Sequence, residues 1–206
     1  MFDNLFRNIT PITRNIIILN VIVFILANTV FPQAYEYLVA YFPLAPEFKS
    51  WQIITHMFMH DGILHIAFNM FTLASFGPLL ERFLGDKKYI LLYFLSGLGA
   101  FLLHSLWLYY EMWSTNQIID ARMLGASGAI FGVVAAFTAL YPKAEMYIMF
   151  IPFPIKAQVL LPIVIIGSLY LGINNYGGIA HFAHIGGALV GYILIKFWGR
   201  NRYRIN

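Results

Sequence analysis

The stretch GASGAIFG (residues 125–132) places a serine between small residues in a strongly apolar part of the chain. Gly128 and Gly132 are four residues apart, a spacing that lets two helices approach closely inside a membrane. In such a place Ser127 either packs, with its hydroxyl bonded to a backbone carbonyl or a neighbouring helix, or acts as a nucleophile. The glycines favour both readings, because a serine reaches a catalytic partner at about 3 Å only when two helices nearly touch. The surrounding sequence must separate packing from catalysis.

The composition is that of an integral membrane protein. Of the 206 residues, 60% are hydrophobic and 11% are charged, whereas an ordinary soluble domain carries about 25% charged residues. A spanning helix needs about 20 apolar residues, so the length predicts about six spans in one membrane domain, residues 1–206. The chain has no cysteine, which excludes disulfides and thiolate chemistry. No small-residue cleavage site precedes the first apolar run, so we expect that run to be retained as a span.

Apolar runs separated by charged residues, proline and glycine predict an all-α, polytopic bundle of six transmembrane helices. We expect the beginning of the second run, around Asp61-Gly62, to lie in a loop or at the membrane interface. The aromatic and proline-rich segment between the first two runs suits a position on the membrane surface. The predicted spans cover residues 16–31, 51–80, 89–110, 127–141, 155–173 and 180–197.

The basic residues orient the predicted bundle, because Lys and Arg are retained on the cytoplasmic side. With both termini inside, only Lys49 and Arg122 of the 13 Lys and Arg residues fall on the outer side. The net charge of +4 is therefore mainly an orientation signal. We interpret the basic tail, residues 199–206, as an anchor to lipid headgroups, and nothing in the chain suggests nucleic-acid binding.

Strongly polar residues inside predicted spans are costly, so each is a functional hypothesis. One cluster lies in THMFMHDGILHIAFNM on the second span and contains His56, His60, His65 and Asn69. His65 and Asn69 are four residues apart and therefore share one face of a helix. Asp61 is interpreted as a loop or helix-capping residue and not as a catalytic acid.

A second polar cluster lies in GIAHFAHIGGALVG on the sixth span and contains His181 and His184. Ser127 and His184 both fall near the outer starts of their predicted helices, at similar depth. His65 and Asn69 lie somewhat deeper and come within reach if the helices are neighbours. We therefore expect these polar residues to meet near the outer side of the membrane.

Other readings of the histidines remain open. His65 and Asn69 also suit a structural hydrogen-bond pair, and the roles of His56 and His181 are undecided. A zinc or other transition-metal site is the main chemical competitor. However, His60 and His65 are five residues apart, which splays them, and no HExxH sequence occurs, so we predict no metal. No carboxylate lies deep in a predicted span, which weakens a proton-coupled transporter.

These residues also match a family: from about residue 51 through 191 the chain resembles the rhomboid intramembrane serine proteases. The order of the matching elements along the chain makes the resemblance specific. Gln52 departs from it, because the family often has an arginine after the residue that Trp51 matches. The matching elements are His60-x4-His65-x3-Asn69, Glu81-x3-Gly85, Gly125-x-Ser127-Gly128, and Ala183-His184-x-Gly186-Gly187 followed by Gly191.

The resemblance implies a serine–histidine dyad, with Ser127 as the nucleophile and His184 as general base and then general acid. His65 and Asn69 occupy the positions that donate to the oxyanion, together with the backbone N–H of Ser127. None of the nine acidic residues plausibly orients His184 from within a span, which favours a dyad over a triad.

The resemblance also implies supporting roles. Phe131 is placed where family members have an aromatic ring stacked on the catalytic histidine, and His60 where a residue holds water or orders the site. Gly125, Gly128 and Gly187 belong to the matched motifs and provide the close approach of helices.

The implied protein is a rhomboid-like membrane domain with a core of residues 51–198, which cleaves peptide bonds in or near transmembrane segments of membrane protein substrates. It needs no cofactor and no metal, and its partners are those substrates and the lipid bilayer. The expected location is a bacterial cytoplasmic membrane, with the site open to the outer side. Alternatives are a catalytically silent, client-binding relative and a metal-binding or transport bundle.

Overall fold

A computed structural model describes residues 9–116, 121–146, 153–173 and 181–202 of the chain. Some residues used in the sequence analysis lie outside these ranges: Arg7 from the orientation argument, Asp120 among the acids, Ala180 at the start of the sixth predicted span, and 203–206 of the basic tail. The described chain is mostly helical. Its elements are α1 Pro11–Thr29, α2 Ala34–Leu38, α3 Gln52–Thr55, a 3-10 turn His56–Phe58, α4 Ile63–Leu84, α5 Asp86–Thr115, α6 Ser127–Leu140, β1 Glu145–Met146, β2 Ile155–Lys156, α7 Ala157–Ile173 and α8 His181–Arg202.

Four of these helices are long and apolar enough to cross a membrane: α1, α4, α5 and α8 over His181–Gly199. Two shorter apolar helices are Ser127–Leu140 and Ala157–Gly167. The second predicted span starts too early at residue 51, because residues 51–58 form separate short turns and α4 begins only at Ile63. The loop expected around Asp61-Gly62 is present. The break falls at Asp61-Gly62, where the chain is extended with φ −175° at Gly62. The result is a helical membrane protein whose α4 starts close to the polar residues of interest.

Helix α6, one of the two shorter apolar helices, lies at the centre of the bundle. Most of its residues are buried, and it packs against α5 and α8. A Cβ atom at Gly187 of α8 would overlap the carbonyl oxygen of Gly128, and a Cβ at Gly191 would overlap that of Gly132. The α6 and α8 backbones therefore touch, as the glycine spacing predicts.

Helix α1 is tied to α4 at the bundle end opposite Ser127. The carboxylate of Glu81 is buried and accepts hydrogen bonds from the backbone N–H groups of Ile12 and Thr13, at 2.9 and 2.8 Å. It also accepts from the hydroxyls of Thr13, at 2.7 Å, and of Thr10. First-turn N–H groups have no partner within their own helix, so this carboxylate caps α1 from a neighbouring element.

At the Ser127 end, the segment 30–52 lies over the bundle and holds the loop that precedes α6. Ala40 and Met123 exchange two backbone hydrogen bonds, at 2.9 and 2.8 Å. The guanidinium of Arg122 lies 2.9 Å from Glu36 and over the ring of Tyr41, which also donates to Glu36. The hydrogen bond from Tyr41, together with Arg122, lowers the pKa of the Glu36 carboxyl.

Gln52, the departure from the family pattern, anchors the same segment. Its side chain is buried, and its Oε1 accepts a hydrogen bond from the backbone N–H of Lys49 at 3.0 Å. Its Nε2 donates to the carbonyl of Glu47 at 3.4 Å. An uncharged amide therefore fixes the loop here through two backbone groups.

Candidate active site

Ser127 is the first residue of α6 and follows a tight turn. The turn depends on Gly125, whose φ of +109° lies in the region that favours glycine. The backbone N–H of Gly125 donates to the carbonyl of His56 at 2.9 Å, which fixes the turn against the segment before α4. A Cβ atom at Gly125 would lie 2.8 Å from Nε2 of His65. Backbone conformation and space both require glycine at this position.

The structure brings Ser127 and His184 together. The Oγ of Ser127 lies 2.9 Å from Nε2 of His184, across the α6–α8 contact. The ring of Phe131, one turn further along α6, stacks on the imidazole with centroids 4.3 Å apart and planes inclined by 4°. A hydroxyl bonded to an imidazole that is itself held in place is the arrangement of an activated nucleophile.

Asn69 lies on the wall of a cavity of about 380 Å³ that also exposes Ser127. The cavity is mainly apolar and extends between α4, α6 and α7 to Thr138. Asn69 is buried, and its Nδ2 has no hydrogen-bond partner among the described residues. A buried amide donor beside a nucleophile is suited to bind a developing negative charge.

His65 approaches the same turn from the first helical turns of α4. Its Nε2 faces Gly125, and its Nδ1 lies 2.6 Å from Oδ1 of Asp61. Asp61 lies in the loop before α4, and its carboxylate contacts this ring. The ring of His60 meets the His65 ring edge-on, with centroids 4.9 Å apart.

His60, His56 and His181 lie around the site and contact its neighbouring residues. His60 is buried and its Nε2 lies 3.5 Å from the backbone nitrogen of Ala126, in the turn that carries the serine. His56 bonds through Nδ1 to the carbonyl of Gln52 at 2.8 Å. His181 packs edge-on to His184 at 6.4 Å. From these positions the three histidines can support the turn before Ser127 and the imidazole of His184 on α8.

Sequence reasoning missed His104, on α5. Both of its ring nitrogens are buried and have no hydrogen-bond partner within the described ranges. It lies within electrostatic range of His56 and of His184. A histidine within an apolar span is a signal that could have found it.

In the described part of the chain, no group of three or more histidine, aspartate and glutamate side chains is arranged to hold a metal ion. The histidines are distributed around Ser127 and point to different neighbours: Asp61, Gln52, Ala126 and Ser127 itself. The chemistry that this arrangement supports is proton transfer and hydrogen-bond donation around one hydroxyl.

Comparison with known proteins agrees with this architecture. The Rhomboid domain family model matches residues 47–201. The chain is 31% identical to Rhomboid protease AarA of Providencia stuartii over 70% of this chain and 54% of that protein. It is 30% identical to Rhomboid protein 1, mitochondrial, of Saccharomyces cerevisiae, over 79% of this chain and 46% of that protein. It is also 30% identical to RHOMBOID-like protein 4 of Arabidopsis thaliana, over 71% and 33%.

The chain thus spans between one third and just over one half of the length of these relatives. The family model covers most of the described helices, including α4, α6 and α8, which carry the serine, the histidines and the asparagine of the site. The chain belongs to the rhomboid family of integral membrane proteins.

Proposed function

We propose that this protein is an intramembrane serine protease that hydrolyses peptide bonds in or near the transmembrane segments of membrane protein substrates. The observation that carries the proposal is the 2.9 Å contact between Ser127 Oγ and His184 Nε2. The family includes a protein named a rhomboid protease, which supports the same reaction class.

In the proposed reaction, Nε2 of His184 accepts the proton of Ser127 as Oγ attacks the scissile carbonyl. His184 then returns the proton to the leaving amine, and an acyl-enzyme remains on Ser127. A water molecule, deprotonated by the same nitrogen, hydrolyses that ester. The stack with Phe131 keeps the imidazole in one orientation through both steps. Among the described residues no carboxylate is hydrogen-bonded to His184, so we propose a dyad.

The oxyanion is proposed to bind to three donors: Nδ2 of Asn69, Nε2 of His65 and the backbone N–H of Ser127. The last belongs to the first turn of α6, so it has no acceptor within the helix and lies at the positive end of the helix dipole. Loss of a single such donor costs about 3 kcal/mol of transition-state stabilisation in comparable hydrolases. The unpartnered Nδ2 of Asn69 supports this role.

The cavity beside Ser127 suits an unwound segment of an apolar substrate. Its walls come from α4, α6 and α7 and are lined mainly by Phe, Leu, Ile and Val side chains. A helical substrate hides its amides in its own hydrogen bonds, so it must unwind locally before attack. We therefore propose substrates whose transmembrane helices contain small or helix-breaking residues near the cleavage site.

The proposed setting is a single membrane domain of six spans, in which α6 and α7 complete the bundle of four longer helices. Both termini face the cytoplasm and Ser127 lies near the outer face, because this arrangement places nearly all Lys and Arg residues inside. We propose residues 51–198 as the core, the tail that follows as a headgroup anchor, and a bacterial cytoplasmic membrane as the location.

The test is cleavage of a reporter with a model transmembrane segment by the protein in proteoliposomes. We expect the wild type to cleave, and Ser127→Ala and His184→Ala to give no product, while Ser75→Ala and His181→Ala remain active. Ser75 is a matched control, because its exposed hydroxyl bonds only to the carbonyl of Phe71 within α4. A chelator should leave cleavage unchanged.

Product from Ser127→Ala would overturn the proposal, and loss of product with the chelator would indicate a metal enzyme. If the wild type gives no product, labelling with a serine-reactive fluorophosphonate probe distinguishes an active protease from a client-binding protein. Labelling that depends on Ser127 would indicate a protease that does not recognise the chosen reporter. An unlabelled Ser127 would instead favour a client-binding member of the family.

A further inference from the structure

We propose that Asp61 is a positioning residue for the reaction: its carboxylate holds His65 so that Nε2 of that ring faces the oxyanion. This inference rests on the proposed function and adds a residue to it. The observations that carry it are the 2.6 Å contact between Asp61 Oδ1 and His65 Nδ1 and the direction of the opposite ring nitrogen, toward the turn at Gly125.

The side chains of Asp61 and His65 are in direct contact. Asp61 precedes α4 and His65 lies in its first turn, so the two residues are four apart and on the same side of the helix start. A distance of 2.6 Å is at the short end for a hydrogen bond to an ionised acceptor. The side chain of Asp61 is 63% exposed and that of His65 is 30% exposed, so water competes with this bond. The strength of the bond therefore depends on its geometry.

The opposite nitrogen of the His65 ring, Nε2, faces the turn that carries Ser127. A Cβ atom at Gly125 would lie 2.8 Å from His65 Nε2 and 3.8 Å from Ser127 Oγ, so this nitrogen lies beside the nucleophile's turn. The ring of His60 supports one edge at 4.9 Å. His65 is therefore held by Asp61 at Nδ1 and by a neighbouring ring, with Nε2 directed at the site.

The hydrogens on the two ring nitrogens of His65 determine what the ring can donate to. When Nδ1–H donates to a carboxylate, Nε2 can donate to an oxyanion only from the ring that carries both hydrogens. That ring bears a positive charge, which Asp61 balances. Among the described residues, His60 and His184 also lie within electrostatic range of His65, and neither supplies a negative charge. Asp61 thus both orients the ring and provides its counter-charge.

An ordinary exposed ion pair makes a different prediction. Such a pair affects stability slightly and activity not at all. A positioning residue affects kcat, leaves KM unchanged, and acts only through its partner. The two cases are therefore separated by a double-mutant cycle between Asp61 and His65.

The experiment measures kcat and KM in proteoliposomes for Asp61→Asn and Asp61→Leu, each in the wild-type and His65→Ala backgrounds. We expect Asp61→Leu to lower kcat about 10-fold, less than the loss of about 100-fold or more that follows removal of an oxyanion donor. Asp61→Asn keeps a hydrogen-bond acceptor without the charge, so its kcat should lie between those of the wild type and Asp61→Leu. In the His65→Ala background, Asp61→Leu should cause no further loss. Glu47→Leu, an exposed acid on the same end of the bundle, is the matched control and should retain wild-type kcat.

A second measurement does not depend on proteolysis. Nitrogen NMR of histidine-labelled protein, with the His65 signals assigned by their loss in His65→Ala, reports whether Nδ1 carries a hydrogen. We expect hydrogens on both Nδ1 and Nε2 in the wild type and partial loss of the Nδ1 hydrogen in Asp61→Leu. A bare Nδ1 in the wild type, an unchanged kcat in Asp61→Leu, or an equal loss in the His65→Ala background would each overturn the inference. Absence of Ser127-dependent cleavage in the wild type would instead refute the proposed function, and the NMR result would still test the Asp61–His65 bond.

Discussion

Phe131 lies flat against the imidazole of His184, with the two planes inclined by only 4°. The hydrogen bond to Ser127 fixes the position of Nε2, and the stack fixes the tilt of the ring about that bond. A ring that is free to tilt spends less time with its lone pair directed at the serine hydroxyl. In the dyad that we propose, the aromatic face therefore takes part of the orienting role that a carboxylate has in a triad.

Replacing Phe131 tests this relationship. We expect Phe131→Leu to lower kcat by between about 10-fold and 100-fold, because small displacements of a catalytic group carry costs of this order. Phe131→Tyr keeps the stacked ring and should retain most activity. Cleavage kinetics in proteoliposomes give the answer, with the thermal unfolding midpoint as a check on folding. Equal kcat for the leucine variant and the wild type would show that the stack is dispensable.

The glycine contact between α6 and α8 should be sensitive to a single methyl group. We expect Gly187→Ala to destabilise the protein by about 1 to 3 kcal/mol and to abolish cleavage, because its Cβ would overlap the backbone of Gly128. Gly167→Ala is the matched control, since a Cβ there meets nothing within 4 Å. Thermal unfolding in detergent, run beside the cleavage assay, compares the two. A neutral Gly187→Ala would contradict the close contact.

Gly125 should be required for activity beyond its effect on folding. Gly125→Ala strains the backbone by about 1 to 3 kcal/mol and also displaces His65. Gly85→Ala isolates the strain, because Gly85 also has a positive φ, of 75°, but no neighbour within 4 Å of its Cβ position. We expect both variants to lose stability and only Gly125→Ala to lose kcat. The contact with His65 would be irrelevant if kcat fell equally in both.

Glu81 should matter for stability and not for chemistry. Glu81→Gln removes the charge that the first turn of α1 bonds to, and we expect a loss of about 2 to 3 kcal/mol in unfolding free energy. Glu145→Gln, at an exposed position, should change it little. Chemical denaturation in micelles measures both. A Glu81→Gln protein that is as stable as Glu145→Gln would refute the capping role.

Glu36 offers a test by titration. Its pKa is lowered from 4.5, first by the hydrogen bond from Tyr41 and then by Arg122. Since the folded value is the lower one, the carboxylate stabilises the loop fully above pH 4.5 and loses this effect as the pH falls below it. We expect Tyr41→Phe to raise the Glu36 midpoint more than Arg122→Gln does, as measured by carboxyl NMR. The opposite order would make the ion pair the larger cause.

The sequence predicted most of the helices well, because long apolar runs bounded by charge, proline and glycine leave few alternatives in a membrane. The predicted start of the second span, at residue 51, is too early because the apolar content of residues 51–62 matches a span. The loop expected at Asp61-Gly62 is present, with extended backbone at Gly62. The contact of Ser127 with His184 followed from motif order, whereas periodicity alone could not predict that α6 and α8 are neighbours. The loop position of Asp61 was predicted, but its contact with His65 and the burial of His104 were not, because such contacts depend on side-chain directions across a turn or a helix interface.

The backbone contact at Gly128 and Gly187 affects how the helices can respond to the thickness of the lipid bilayer. Bilayers differ in thickness, and spanning helices adjust to them by tilting. Helices α6 and α8 have no side chains between them at this point, so they must tilt together, and the Ser127–His184 distance is preserved. Helix α7 exposes much of its apolar surface, so we expect it to tilt more independently than α6 and α8. We therefore expect acyl-chain length to change how fast a membrane substrate reaches the cavity, while labelling of Ser127 by a small water-soluble probe stays constant.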